Sequence, residues 1–222
     1  VALGRSPHCV DARRRHWPIV AAVAEGVCVW ATHFVAMLAY RGSMPIGFDI
    51  GLTLLSVAMA IGFFWCSFCL LGKTPDIPRC AAAATGATIG VAAMHFTGMA
   101  SIIAPAHLSY SWTPILVSLL LSGLCFFAAF LAFARTSGWR KITLPAGFAV
   151  LAIVVMHFTA MSATTLIPDP TRGSVPGTGS GHDWLVPAIV IANFALVALA
   201  LTGSLVDRWL TDAHGLADAT LE

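Results

Sequence analysis

Charged side chains are scarce in this sequence: Asp, Glu, Lys and Arg together make up 10% of its 222 residues, whereas a soluble domain carries about 25%. Hydrophobic residues make up 58%, and the mean hydropathy is +0.85. This shortage of charge excludes an ordinary soluble fold. The net charge of +2 is too small to indicate a nucleic-acid partner. We therefore expect no nucleic acid and take the lipid bilayer as the main partner.

Acidic residues are almost missing from the long apolar stretches: Glu25 lies inside the first, and Asp49 lies at the outer end of the second. Six stretches meet the requirement of about 20 residues for crossing about 30 Å of hydrocarbon. They cover residues 18–38, 46–71, 80–104, 113–134, 142–167 and 184–206. Because unpaired backbone groups are not tolerated in lipid, the sequence predicts an all-α fold, a polytopic membrane bundle of six transmembrane helices.

Basic residues are nearly missing from one side of this predicted bundle. Ten Lys and Arg fall in the N-terminal segment, in the loops after the second and fourth stretches, and in the C-terminal tail, while two, Arg41 and Arg172, fall on the other side. By the positive-inside rule, we expect a multi-pass membrane protein with both termini in the cytoplasm. Residues 1–17 are then a cytoplasmic segment, residues 18–206 the membrane domain and residues 207–222 a cytoplasmic tail.

One short motif recurs at a fixed spacing of 62 residues. It centres on His33, His95 and His157, which lie in the first, third and fifth apolar stretches. A small residue follows each His three positions later, and a Met follows it four positions later. A period of this kind indicates an internal repeat. The bundle is therefore predicted to consist of three helical-hairpin repeats, each with one outgoing and one returning helix.

The period also predicts the depth of the motifs. Each His lies five to ten residues before the outer end of its stretch, which is about 7–15 Å at 1.5 Å per residue. Residues i and i+4 share a helix face, so each His forms a vertical pair with a Met. A bundle that turns these faces inward places three imidazoles and several thioethers together in one outer layer. Ionisable groups inside a membrane indicate function.

These donors indicate a metal site. Thioether sulfur is a soft ligand that favours Cu(I), and imidazole is a good ligand for copper. The motifs contain no carboxylate for Mg²⁺ or Ca²⁺ and no Cys for zinc. Copper is the favoured cofactor, and haem iron with His/His or His/Met axial ligands stays open as a less favoured one. The predicted metal ligands are His33, Met37, Met94, His95, Met99, Met156, His157 and Met161.

The second and third motifs, Met-His-Phe-Thr beginning at Met94 and Met156, resemble the MHYT domain of bacterial membrane sensors. The resemblance spans about residues 18–206. It implies a bacterial inner-membrane sensor that binds copper and, through it, a diatomic gas such as oxygen, carbon monoxide or nitric oxide. Phe replaces the family's Tyr in every copy, and the first copy also has Thr32 in place of Met and Val35 in place of Thr. These changes remove one hydroxyl from each repeat and make the site asymmetric.

The sequence contains no motif of a nucleotide cyclase, phosphodiesterase or kinase, so we do not expect an enzyme. About 16 residues follow the sixth stretch. A sensor of this kind would therefore need a cytoplasmic signalling output domain that is missing from this chain, or a partner protein that reads the bundle. Two alternatives stay open: a haem- or copper-binding redox or assembly protein of the membrane, and a metal transporter.

Other polar or soft residues are weaker candidates. Glu25, two turns inward of the first His, fits a proton relay or a protonated structural acid. Asp49 fits a helix cap better than a hydrogen bond to a ligand imidazole, and Asn193 fits a hydrogen bond between helices. Three cysteines near the inner side fit apolar packing better than a second soft-metal site. They are Cys66, Cys69 and Cys80.

Overall fold

The computed structural model describes residues 7–40, 46–169, 171, 183–198 and 201–202. Its long helices are α1 (Pro7–Ala39), α2 (Ile50–Leu71), α3 (Ile77–Ala100), α4 (Trp112–Arg135) and α5 (Arg140–Ser162). A shorter apolar helix, α6, follows at Leu185–Ala198. Each long helix holds a segment of at least 22 residues that is apolar enough to cross a membrane. The structure confirms the all-α membrane bundle; the predicted sixth stretch and N-terminal segment lie partly outside the described residues, and the C-terminal tail lies wholly outside them.

The starts of two helices follow local capping signals. Asp49 precedes α2, and its carboxylate accepts a hydrogen bond from the backbone N–H of Leu52 at 2.8 Å. Asp76 caps α3 in the same way, accepting from the backbone N–H of Arg79 at 2.9 Å. These bonds satisfy donors that the first helical turn leaves open. The prediction of Asp49 as a helix cap is therefore confirmed.

Two short antiparallel strand pairs lie beyond the ends of α3 and α5. Strand β1 (Gly47–Phe48) pairs with β2 (Ile102–Ile103), and β3 (Ala106–Tyr110) pairs with β4 (Thr164–Pro168). The first pair joins the first repeat to the second, and the second pair joins the second repeat to the third. We refer to these four strands as the strand cap. The charge pattern predicts that the strand cap faces outward.

The strand cap corrects several predicted boundaries. The apolar pattern predicts helix as far as residues 104 and 167, but α3 ends at Ala100 and α5 at Ser162. The second helix begins at Ile50 rather than at residue 46. The residues beyond α3 and α5 are rich in Ile and Thr, whose β-branched side chains pack well on a pleated strand. Hydropathy does not separate such a strand from the end of a membrane helix because both are apolar.

Helix α3 lies at the centre of the packing. It packs against α2 on one side and α4 on the other, and half of its membrane-spanning segment is buried. Its inner half consists mainly of Ala and Gly. A Cβ added at Gly90 would lie 2.5 Å from the Cβ of Phe63, so glycine is what lets α2 approach so closely, as is common between membrane helices.

The 62-residue repeat extends to the returning helices. Phe64 and Phe68 of α2 correspond in the repeat to Phe126 and Phe130 of α4. The ring centroids of Phe64 and Phe126 lie 6.0 Å apart, and those of Phe68 and Phe130 lie 6.4 Å apart, both pairs meeting edge to face. These four rings form an aromatic cluster in the half of the bundle opposite the strand cap, and they hold α2 and α4 together across α3.

Candidate metal centre

Three histidines from three different helices meet inside the bundle. His33 lies on α1, His95 on α3 and His157 on α5, five or six residues before the helices end at Ala39, Ala100 and Ser162. Their side chains are 2%, 1% and 8% exposed, respectively. The structure thus brings together, at one depth, the residues that the repeat singles out. We refer to these three residues as the histidine cluster.

The three imidazoles contact one another edge to face. The Nδ1 atom of His33 lies 3.1 Å from Nδ1 of His157 and 3.2 Å from Nδ1 of His95. Ring centroids are separated by 4.9 Å (His33 and His95), 5.1 Å (His33 and His157) and 5.4 Å (His95 and His157). One nitrogen of each ring lies within 4.8 Å of the other two. Three nitrogen donors therefore converge on one point of the bundle.

This arrangement fits a metal ion. Nitrogen ligands at about 2.0 Å from a tetrahedral metal lie about 3.3 Å apart, close to the two Nδ1 separations. A neutral imidazole carries one N–H and one lone pair, so three converging nitrogens cannot all satisfy one another. The Nε2 atoms of His33 and His95 are also buried with no hydrogen-bond partner among the described residues. Such unused polar capacity in a buried place is typical of a functional site.

A glycine makes room for one of the rings. A Cβ added at Gly98 would lie 2.7 Å from Nε2 of His33 and 3.3 Å from the ring of Phe34. Gly98 is the small residue three positions after His95. The sequence predicts that small residues at this position let helices approach closely, and at Gly98 the structure shows that approach directly.

A small apolar cavity lies beside the histidine cluster. Its volume is about 30 Å³, and the three histidines form part of its wall. Two further sets of equivalent repeat positions line it. The residues four positions before each His are Val29, Val91 and Ile153, and the residues one position before are Thr32, Met94 and Met156. Sequence reasoning missed the first of these layers, although the same 62-residue spacing marks it. This inner cavity is far smaller than the roughly 300–1,000 Å³ of pockets that hold drug-sized ligands, so a porphyrin does not fit there.

The remaining predicted ligands lie around a second cavity. Met37, Met99 and Met161 line this outer cavity of about 40 Å³ together with Tyr40, and none of the three histidines lines it. The sequence predicts one shared layer of imidazoles and thioethers. In the structure, the histidines line the inner cavity with Met94 and Met156, and the methionines four positions after the histidines line the outer one.

The three motif phenylalanines have different surroundings. Phe34 is fully buried and packs edge to face on Phe48, whereas Phe158 is 62% exposed and lines the inner cavity. Phe96 packs on Tyr110 of the strand cap with ring centroids 5.7 Å apart. Equal positions in the repeat therefore do not have equal burial.

The weaker candidates do not join the histidine cluster. Glu25 is half-buried and lies eight residues inward of His33 on α1. The sequence predicts that Asn193 forms a hydrogen bond between helices. The side-chain hydrogen bond in the structure lies within one helix instead: the Asn193 amide donates to the carbonyl of Ile189 at 2.8 Å.

The inner cysteines also lie apart from the histidine cluster. Cys66 and Cys69 are exposed on the bundle surface and Cys80 is buried. Within the described part of the chain, the histidine cluster is the one group of His, Cys, Asp or Glu with metal-binding geometry.

Three consecutive segments of the chain match a known repeat. Residues 26–84, 89–145 and 151–211 each match the MHYT profile, described as a bacterial signalling protein N terminal repeat. Each segment contains one histidine of the cluster and the return helix that follows it. The profile thus divides the chain into the same three hairpins as the 62-residue spacing.

Curated relatives are signalling proteins. The chain is 35% identical over 204 residues to the bifunctional diguanylate cyclase/cyclic di-GMP phosphodiesterase MucR of Pseudomonas aeruginosa, covering 87% of this chain and 29% of that protein. It is 33% identical over 159 residues to the cyclic di-GMP phosphodiesterase NbdA of the same organism, covering 68% and 20%. It is 31% identical over 156 residues to an uncharacterized signaling protein of Caulobacter vibrioides, covering 70% and 19%. The chain therefore spans less than a third of the length of these relatives, and no solved structure matches it.

Proposed function

Because the chain belongs to the MHYT family of bacterial signalling proteins, we propose that its histidine cluster binds copper and that the bundle senses a diatomic gas through it. The family and the membrane-spanning helices make the chain part of a multi-pass bacterial signalling protein. The metal, the gas and the inner membrane as its location are the proposal.

The observation that carries the proposal is the convergence of three buried imidazoles from the three repeats, with Nδ1 atoms 3.1 and 3.2 Å apart. The thioethers of Met94 and Met156 line the cavity beside them. A set of imidazoles with nearby soft sulfur suits copper better than zinc, which rarely takes Met. The small volume of the inner cavity supports an ion rather than haem.

The inner cavity also supports a small, weakly polar ligand. Apart from the three imidazoles and Thr32, its lining is apolar, and the hydroxyl of Thr32 donates to the carbonyl of Cys28 at 2.8 Å. A copper ion held by the histidine cluster would supply an open coordination position to a diatomic such as oxygen, carbon monoxide or nitric oxide. The residues of the chain would orient the imidazoles and keep water out of the apolar space.

The relatives indicate the output that such a sensor would control. MucR is named a diguanylate cyclase and cyclic di-GMP phosphodiesterase, and NbdA a cyclic di-GMP phosphodiesterase. This chain covers 29% of the length of MucR and 20% of that of NbdA. We expect the bundle to regulate cyclic di-GMP turnover by a catalytic domain in the same protein or in a cytoplasmic partner. The predicted cytoplasmic termini place such a domain on the side where it would act.

The direct test is metal analysis of the purified protein beside His95→Ala and His157→Ala variants. We expect the wild type to contain copper and both variants to lose it, because each removes one converging nitrogen. His107→Ala is the matched control, since His107 is exposed on β3 outside the cluster. Copper content that is equal in the wild type and both cluster variants would refute the proposal.

A further inference from the structure

The methionines that follow the histidines occupy a layer of their own. Met37, Met99 and Met161 line the outer cavity, and none of them lines the inner cavity. Four residues separate each of them from its histidine, which is about 6 Å along the helix. The three repeats thus contribute two separate sets of donors at two depths.

The donors around the outer cavity are soft and uncharged. Its side-chain donors are the three thioether sulfurs, the phenol of Tyr40 and the hydroxyl of Thr164, which donates to the carbonyl of Ala160 at 3.1 Å. No imidazole, thiol or carboxylate of the described residues lines it. Thioether sulfur favours Cu(I) and similarly soft ions and does not suit Mg²⁺, Ca²⁺ or Zn²⁺. The volume of about 40 Å³ exceeds the roughly 10–15 Å³ that one water-sized guest needs.

Ordinary core packing does not explain this arrangement well. Methionine often fills irregular gaps in a core, but here three methionines at one repeat position surround a cavity. Met37 and Met99 are 2% and 1% exposed, so their side chains are held in place, and Met161 is partly buried. The three methionine side chains therefore line a space that they leave open.

We infer that Met37, Met99 and Met161 form a second binding site, for a soft monovalent cation such as Cu(I) or Ag(I). The site is separate from the histidine cluster and lies one helical turn nearer the strand cap. An ion that comes from the cap side meets this site first. The next donor inward is the Nε2 atom of His33. This atom lies against Gly98, which follows His95 by about one helical turn. Because the site needs no imidazole, it goes beyond the proposed function.

Silver binding to the purified full chain in aqueous buffer tests the inference, because Ag(I) is a soft ion that is not oxidised there as Cu(I) is. The key variant is Met37→Leu/Met99→Leu/Met161→Leu, which keeps side-chain volume and removes sulfur. We expect it to lose about one equivalent of Ag(I), together with a sulfur-rich shell in silver X-ray absorption. The matched control, Met94→Leu/Met156→Leu, changes methionines of the inner cavity and should keep that shell.

The histidine variants separate this inference from the proposed function. His95→Ala/His157→Ala should keep the sulfur-rich silver site even though it loses copper from the cluster. The inference is overturned if the triple Leu variant binds Ag(I) like the wild type. It is also overturned if the histidine variant loses the same silver site, since one shared site would then explain both results. Unchanged copper in the histidine variant refutes the proposed function alone.

A milder variant guards against misfolding. If the triple variant does not fold, Met161→Leu is the substitute, because Met161 is the least buried of the three. Loss of one of three sulfur ligands should weaken Ag(I) binding at least about tenfold, which corresponds to about 1.4 kcal/mol. Equal silver affinity in Met161→Leu and the wild type overturns the inference.

Discussion

Gly98 leaves the space that the imidazole of His33 occupies, and a methyl group at this position would fill that space. A Cβ there would lie 2.7 Å from Nε2 of His33, which is closer than a non-bonded carbon and nitrogen can approach, so the ring would have to move. We predict that Gly98→Ala displaces the imidazole, weakens copper binding and destabilises the bundle by about 1–3 kcal/mol through overpacking. Copper affinity and thermal unfolding of the purified protein are the measurements.

Gly123→Ala is the matched control for this prediction. Gly123 lies in α4, where an added Cβ would meet Thr88 at an ordinary contact distance of 3.5 Å. It should bind copper like the wild type. If Gly98→Ala also keeps wild-type copper affinity, the close approach of α3 to His33 does not hold in the protein.

Two phenylalanines at equal repeat positions give a second prediction at the residue scale. Phe34 is fully buried, while Phe158 is 62% exposed on the surface of the bundle. Phe34→Ala should destabilise the fold by about 3 kcal/mol because it leaves a cavity, whereas Phe158→Ala should have a much smaller effect. Unfolding of both variants in the same detergent compares them directly, and equal losses would contradict the difference in burial.

The sequence identifies the residues of the site, but it does not predict how deeply each motif side chain is buried. The spacing of 62 residues identifies His33, His95 and His157 without any structure, because a repeat puts equal positions at equal depth. It does not reveal that Phe34 and Phe158 differ. Burial depends on which helix covers each face, and the neighbours of α1 and α5 are not equivalent even though their motifs are.

At the scale of elements, the strand cap makes a testable link between repeats. Ser109 of β3 is paired with Thr165 of β4, and paired residues in antiparallel strands have Cα atoms about 4.5–5.5 Å apart, within reach of a disulfide. We predict that Ser109→Cys/Thr165→Cys forms a cross-link between the second and third repeats. Mass spectrometry of peptides from the oxidised protein would detect it.

A shifted pair controls for chance oxidation. Ile167 pairs with His107, two positions away from the Ser109 pair, so Ser109→Cys/Ile167→Cys should cross-link much less. Equal cross-linking of both pairs would show that the register of β3 and β4 differs from the one described.

The sequence predicts the helices well and the strand cap not at all. In lipid, a run of about 20 apolar residues has to pair its backbone groups within itself, which it does as a helix. The long membrane-spanning helices are therefore predictable from composition. Residues 102–103 and 164–168 continue the same apolar character, and what makes them strands is pairing with distant segments. Such pairing cannot be read from a local pattern.

At the scale of the whole molecule, the predicted orientation can be tested directly. The positive-inside rule places both termini in the cytoplasm and the strand cap outside. A fluorescent protein that folds only in the cytoplasm should therefore fluoresce when fused to either terminus and stay dark when inserted in the loop after β4. Fluorescence from the loop insertion would reverse the orientation and place the two cavities near the inner face.

The position of the histidine cluster close to the strand cap has a consequence for how a helix movement would spread through the bundle. Strand pairing joins the three repeats at one end of the helices. At the other end, the short connections after α2 and α4 and the packing of the aromatic cluster join them. Measured from Ser162, His157 lies five residues along α5 and Arg140 lies twenty-two, or about 7.5 Å and about 33 Å. A helix that pivots at the strand cap would therefore turn a shift of about 1 Å at the imidazole into one of about 4 Å at its far end. If the histidine cluster binds its ligand as proposed, a pivot so close to the imidazoles would amplify a small displacement there at the opposite end of the helices.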